Sequence, residues 1–215
     1  MLNPEFQFDL DHSSEDYSQF VETYRQRFST LTGYGRFQTP IGTYVGTYKD
    51  GQLLGHAKFH SKKNILYEGT WQGSPAEIGS SLVEGKMTAF NGGLVYEGQF
   101  GPNETPLGEG VLVLKMGSAQ EKVKRVYSGE FLVNKSEDVW FTVNGKGQSW
   151  RNEVLSITQT GKISIRKDRD ELNGVGRQEV PETFEISGNF ENGKLHGKGV
   201  VRMYEGDIIE GTFRN

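Results

Sequence analysis

The sequence predicts an all-β protein, an elongated single-layer antiparallel β-meander of stacked hairpins preceded by a short N-terminal α-helix. Three observations carry that expectation. Glycine supplies 29 of 215 residues, nearly twice the usual ~7%. The hydrophobic content of 34% is tilted toward rings, with 3 Trp, 9 Tyr and 13 Phe, a mix that suits strands and turns better than helical bundles. One short pattern, apolar-x-Gly-x-aromatic, also returns at intervals along the chain.

The first 31 residues stand apart by charge. They hold six acids and two bases, which accounts for the whole net charge of −4 and leaves residues 32–215 neutral. This acidic arm (1–31) is expected to contain an amphipathic helix over about 13–31. Ser13-Ser-Glu-Asp16 resembles a capping box, and Tyr17, Phe20, Val21, Tyr24, Phe28 and Leu31 recur at helical spacing. Such a helix either caps the first hairpin or docks on a partner, with Tyr17, Phe20, Val21, Tyr24 and Phe28 as the partner-binding candidates.

The body (32–215) reads as about seven repeat units. Six copies of the pattern begin at Tyr44, Tyr67, Tyr96, Tyr127, Ile186 and Ile209, at intervals of 23, 29, 31, 59 and 23. The double-length gap predicts a degenerate unit near 157, Ile157-Thr-Gln159-Thr-Gly161, in which Gln159 replaces the glycine and Gly161 the ring. The wider intervals suggest insertions at Gly73–Leu82, Gly101–Leu107 and Gly117–Lys124. Between these copies runs Gly-x-Gly, as in Gly33-Tyr-Gly35, Gly174-Val-Gly176 and Gly197-Lys-Gly199, with eroded or shifted forms at Gly55, Gly85 and Gly145.

Within a unit, period-2 alternation puts the two rings and the intervening glycine on one sheet face. The expected aromatic spine is Tyr44, Tyr48, Tyr67, Trp71, Tyr96, Phe100, Tyr127, Phe131, Phe190 and Phe213. Its structural glycines are Gly46, Gly69, Gly98, Gly129, Gly188 and Gly211. Asp50-Gly51 and Asn192-Gly193 sit where a two-residue hairpin turn wants two positive φ angles. One hairpin cannot bury such a face alone, so stability must come from stacking.

Function classes narrow by chemistry. The sequence has no basic face of the kind a nucleic-acid binder shows, no apolar run of the roughly 18 residues a spanning helix needs, and a start without the basic flank and apolar stretch of a signal peptide. Cysteine is absent, which removes disulfides, cysteine-type zinc sites and thiol nucleophiles. His56 and His60 share a strand face without a carboxylate at metal-ligand spacing, so no metal site is expected. Phosphate-loop and nucleophile-elbow motifs are missing, and neither a catalytic residue nor a cofactor is expected. Two basic clusters, Lys122-Lys124-Arg125 and Arg166-Lys167-Arg169, are the candidates for contact with acidic lipid.

Residues Ile186 to Gly199 carry Ile-x-Gly-x-Phe-x-x-Gly-x-x-x-Gly-x-Gly, and this pattern resembles the MORN (membrane occupation and recognition nexus) repeat. The resemblance extends over about residues 33–215. It implies a non-catalytic protein–protein interaction scaffold or adaptor in a large cytoskeletal assembly, cytoplasmic and cytoskeleton-associated, with the ciliary axoneme and its radial-spoke members as the nearest setting. Partners would then be proteins of a multi-subunit assembly, with no small-molecule substrate. A peripheral membrane or lipid-binding tether and a regulatory subunit of an enzyme complex are the alternatives.

Overall fold

The computed structural model describes residues 31–73, 81–118, 120–133, 139–166 and 169–214, together with Gln19. The helix expected over 13–31 lies outside these residues, apart from Gln19, which is helical, and Leu31, which is not. Tyr17, Phe20, Val21, Tyr24 and Phe28 are therefore outside the description as well.

The described body is all β. The first strands are β1 (Gly33–Gln38), β2 (Gly42–Lys49), β3 (Gln52–Ser61), β4 (Leu66–Gln72), β5 (Ser81–Ala89) and β6 (Leu94–Phe100). They are followed by β7 (Pro106–Gly117), β8 (Lys122–Leu132), β9 (Phe141–Arg151), β10 (Val154–Ile165) and β11 (Asp170–Val180), and then by β12 (Phe184–Glu191), β13 (Lys194–Met203) and β14 (Ile208–Phe213). All fourteen lie in one open antiparallel sheet in sequence order, each beside its chain neighbours. By compactness the chain divides between Gly108 and Glu109, inside β7, into an N-terminal and a C-terminal unit.

The turns follow their residues. Asp50 and Gly51 take φ of 50° and 77°, and Asn192 and Gly193 take 51° and 79°, the left-handed pair whose twist matches the flanking strands. Asn152 and Glu153 (49° and 71°) make the same turn without a glycine.

A row of glycines runs across each unit. In the N-terminal unit the strand partners are Gly35 with Gly46, then Ala57 with Gly69, Gly69 with Gly85 and Gly85 with Gly98. In the C-terminal unit Gly129, Gly145 and Gly161 pair in succession, as do Gly176, Gly188, Gly199 and Gly211. The physical reason is close backbone approach: a Cβ on Gly69 would lie 2.6 Å from the Gly85 Cα and collide with the Glu84 carbonyl oxygen.

This row corrects the expected register of the degenerate unit. Gly161 occupies the glycine position, Gln159 the first apolar position and Ile163 the second, so the unit starts two residues later than 157. Gln159 and Ile163 are both buried. Gly85 and Gly145 likewise fill the second position of Gly-x-Gly and not the first.

The wider repeat intervals also have a different source from the one expected at Gly117–Lys124. Strands β7 to β11 hold 11 or 12 residues, against 6 to 10 in β1 to β6, and the β7–β8 link is a short turn closed by Ser118 N–H donating to the Glu121 carbonyl at 2.8 Å. The extra residues lengthen strands. An inserted turn does occur at 102–104, where the Glu104 side chain is buried, while 74–80 lies outside the described residues.

Candidate functional site

The predicted spine is largely interior. Tyr44, Tyr48, Tyr67, Trp71, Tyr96, Tyr127, Phe131 and Phe190 are buried, whereas Phe100 and Phe213 are half-buried. Register joins the N-terminal members into a cross-strand ladder, Phe37 to Tyr44 to Phe59 to Tyr67 to Met87 to Tyr96. Ring centroids stand 5.4 Å apart for Tyr44–Trp71 and 5.1 Å for Tyr96–Phe100, within the favourable range for aromatic pairs, and Tyr44–Phe59 is closer at 4.2 Å. The Trp71 indole N–H donates to the Ala57 carbonyl at 3.1 Å, and the Tyr96 hydroxyl donates to the Gln99 carbonyl at 2.7 Å. Burial pushes the Tyr48 hydroxyl pKa above its ordinary value.

Phe59 was missed by sequence reading, because it sits on the return strand between two recognised copies. Its signal is the alternation Ala57-Lys58-Phe59-His60 in a strand opposite Tyr67.

In the C-terminal unit the equivalent ladder is partly polar. Tyr127 faces Gly147, then Gln159, then Gln178, and Gln159 Nε2 donates to Gln178 Oε1 at 3.2 Å. The Tyr127 hydroxyl donates to Asp170 Oδ2 at 2.7 Å while Arg125 Nη1 lies 3.4 Å from Asp170 Oδ1. Burial raises the Asp170 carboxyl pKa in spite of Arg125 and the Tyr127 hydrogen bond. The Tyr127 hydroxyl is raised as well, first by burial and then by the Asp170 charge.

That clamp divides the first basic cluster. Arg125 turns to Asp170 and is only 13% exposed at its side chain, while Lys122 and Lys124, one position out of phase, are exposed. In the second cluster Arg166 and Arg169 both bind Glu171, at 3.0 and 2.8 Å, and hold its carboxyl below the usual range; Lys167 lies outside the described residues. Proximity in sequence suggests two basic patches. Strand alternation leaves one pair of lysines.

Those lysines border a pocket of about 590 Å³ formed by Lys115, Met116 and Gly117 of β7, Lys122, Val123 and Lys124 of β8, Trp150 of β9 and the turn residue Glu153. Lys124 and Trp150 are direct strand partners, and the Lys124 ammonium stands 5.3 Å from the Trp150 ring centroid, a cation–π arrangement. Trp150 and Lys115 were not singled out from sequence, since only strand pairing brings them beside Lys122 and Lys124. The lining residues are thus a half-buried indole with the Lys124 ammonium over it, the apolar Met116 and Val123, the cationic Lys115 and Lys122, and the carboxylate residue Glu153.

His56 Nε2 lies 3.3 Å and Lys58 Nζ 3.0 Å from Glu68 Oε1 on an exposed strand surface, which lowers the Glu68 carboxyl pKa. Among the described residues no group of three or more histidines and carboxylates is placed to hold a metal ion, and no helix is long and apolar enough to cross a membrane. No family model and no curated protein matches the chain.

Proposed function

We propose that this chain is a non-catalytic scaffold or adaptor that binds protein partners through the sheet surface left free by its aromatic core. The observation that carries this reading is the use of the rings: Tyr44, Phe59, Tyr67, Trp71 and Tyr96 are spent on packing one strand to the next, and the alternate positions are less buried and mostly polar, Lys49, Lys58 and Glu68 among them. A sheet face committed to its own cohesion, with mostly polar residues at the alternate positions, suits protein contact. The resemblance of its hairpins to MORN repeats supports a cytoskeletal setting, with the ciliary axoneme as the leading one; this part of the proposal is by analogy of motif.

One observation favours a second reading, a peripheral membrane tether. Lys115, Lys122 and Lys124 carry no ion pair among the described residues, and each lysine near an acidic bilayer contributes about 1 kcal/mol.

Affinity purification of the tagged protein, full length and beginning at Thr32, followed by mass spectrometry, tests the proposal. The scaffold reading predicts a reproducible set of cytoskeletal proteins that survives detergent. Recovery of vesicle components alone, lost when salt is raised, would overturn it in favour of the tether.

A further inference from the structure

The pocket at the ends of β7, β8 and β9 combines features that the body otherwise keeps apart. Its apolar lining comes from the Trp150 ring, on the same face as Lys124, and from Met116 and Val123, the latter one position out of phase with Lys124 on β8. Its rim is cationic, and the guanidinium groups nearby are already committed: Arg125 to Asp170, and Arg151 to Glu121 at 3.1 Å. What remains available is ammonium charge from Lys115, Lys122 and Lys124, against the single carboxylate of Glu153.

We propose that this pocket is a docking site for an acidic peptide segment of a partner protein, one that places an aromatic or aliphatic side chain among its carboxylates. The proposal rests on the scaffold reading and names one partner chemistry for it. Charge complementarity supplies the first argument. Three ammonium groups spread around the rim are point charges without the fork geometry that grips a single phosphate bidentately, so they fit carboxylates distributed along a chain. The apolar lining supplies the second, since an inserted side chain would cover the exposed part of the indole and displace water from it. Concavity supplies the third: Trp150 is half-buried and lines the pocket together with the lysines, a recess that suits an inserted side chain.

The test is fluorescence anisotropy on the full chain with a dye-labelled polyglutamate peptide bearing one central phenylalanine. A version with alanine in place of that phenylalanine, inorganic pyrophosphate, and phosphatidylcholine–phosphatidylserine vesicles serve as competitors. The expected result is salt-sensitive binding that weakens about tenfold or more in Lys122→Glu/Lys124→Glu, two exposed positions, and several-fold when the phenylalanine is removed or when Trp150 is changed to Leu. Circular dichroism of each variant confirms that the sheet is retained. Unchanged affinity in the folded lysine variant, equal affinity of the alanine peptide, or capture by pyrophosphate or vesicles without capture of peptide overturns the assignment. If the peptide fails while affinity purification still recovers protein partners, the pocket assignment falls alone; if both fail, the scaffold reading falls with it.

Discussion

Two stretches of the chain share a 23-residue interval and the same motif, yet they bury very different amounts. In Tyr44 to Trp71 the positions Tyr44, Phe59, Tyr67 and Trp71 are all within 2% of full burial. Their equivalents in Ile186 to Phe213 are Ile186, Val201, Ile209 and Phe213; the first two and the last are half-buried, and Ile209 is 57% exposed. Turn chemistry is equally good in both, with Asp50-Gly51 in one and Asn192-Gly193 in the other, and Gly-x-Gly is complete only in the second, Gly197-Lys198-Gly199 against Gly55-His56-Ala57. Regularity of the motif therefore sets the backbone path, while the size of the side chain at Ile186 and Val201, and the place of β14 at the end of the strand order for Ile209 and Phe213, set how much surface is removed from water. The copy that matches the repeat pattern best is among the least buried.

The largest expected effect is at Trp71. Trp71→Ala should cost roughly 3–5 kcal/mol in chemical denaturation, since it empties a ring-lined site and removes the indole donor from the Ala57 carbonyl, whereas Phe213→Ala should cost under about 1 kcal/mol. Equal losses at the two positions would break the comparison. Next comes the polar clamp of the C-terminal unit. Asp170→Ala leaves Arg125 and Tyr127 without their shared acceptor, and a loss of roughly 2–3 kcal/mol is expected, below the value for a fully enclosed pair because both partners keep some exposure. Grafting the ring ladder tests the idea in the opposite sense: Ile186→Tyr with Val201→Phe, direct strand partners, should gain about 0.5–1.5 kcal/mol from the new aromatic pair.

The smallest effect concerns acid. Arg169 and Arg166 lower the Glu171 carboxyl pKa in the folded state, so its stabilisation is complete above the ordinary carboxylate range and is lost as pH falls through the lowered folded value. Glu171→Gln should therefore flatten the acid side of the stability–pH curve while lowering stability at neutral pH. An unaltered acid limb would show that the two arginines do not bind the carboxylate in solution.

Much of this architecture is legible in the sequence because each feature is local. Hairpin turns are named by Asp-Gly and Asn-Gly pairs, and strand faces by alternation around a glycine. What escaped depends on pairing between strands. Gly161 belongs to the glycine row only because Gly145 lies opposite it, and a local scan aligned on Ile157 places the unit two residues early. Phe59 joins the spine through its partners Tyr44 and Tyr67. The pocket was half visible, in Lys122 and Lys124, but Trp150 reaches them across a strand pair and Arg125 leaves them by alternation.

Native-state hydrogen exchange tests most directly whether ring burial, and not motif regularity, governs local stability. The amides of Tyr44 and Phe59 are to be compared with those of Ile186 and Val201, all on strands flanked on both sides by other strands. Slower exchange at Tyr44 and Phe59, by a factor of about ten or more, is the predicted result. Equal or slower exchange at Ile186 and Val201 would contradict the account.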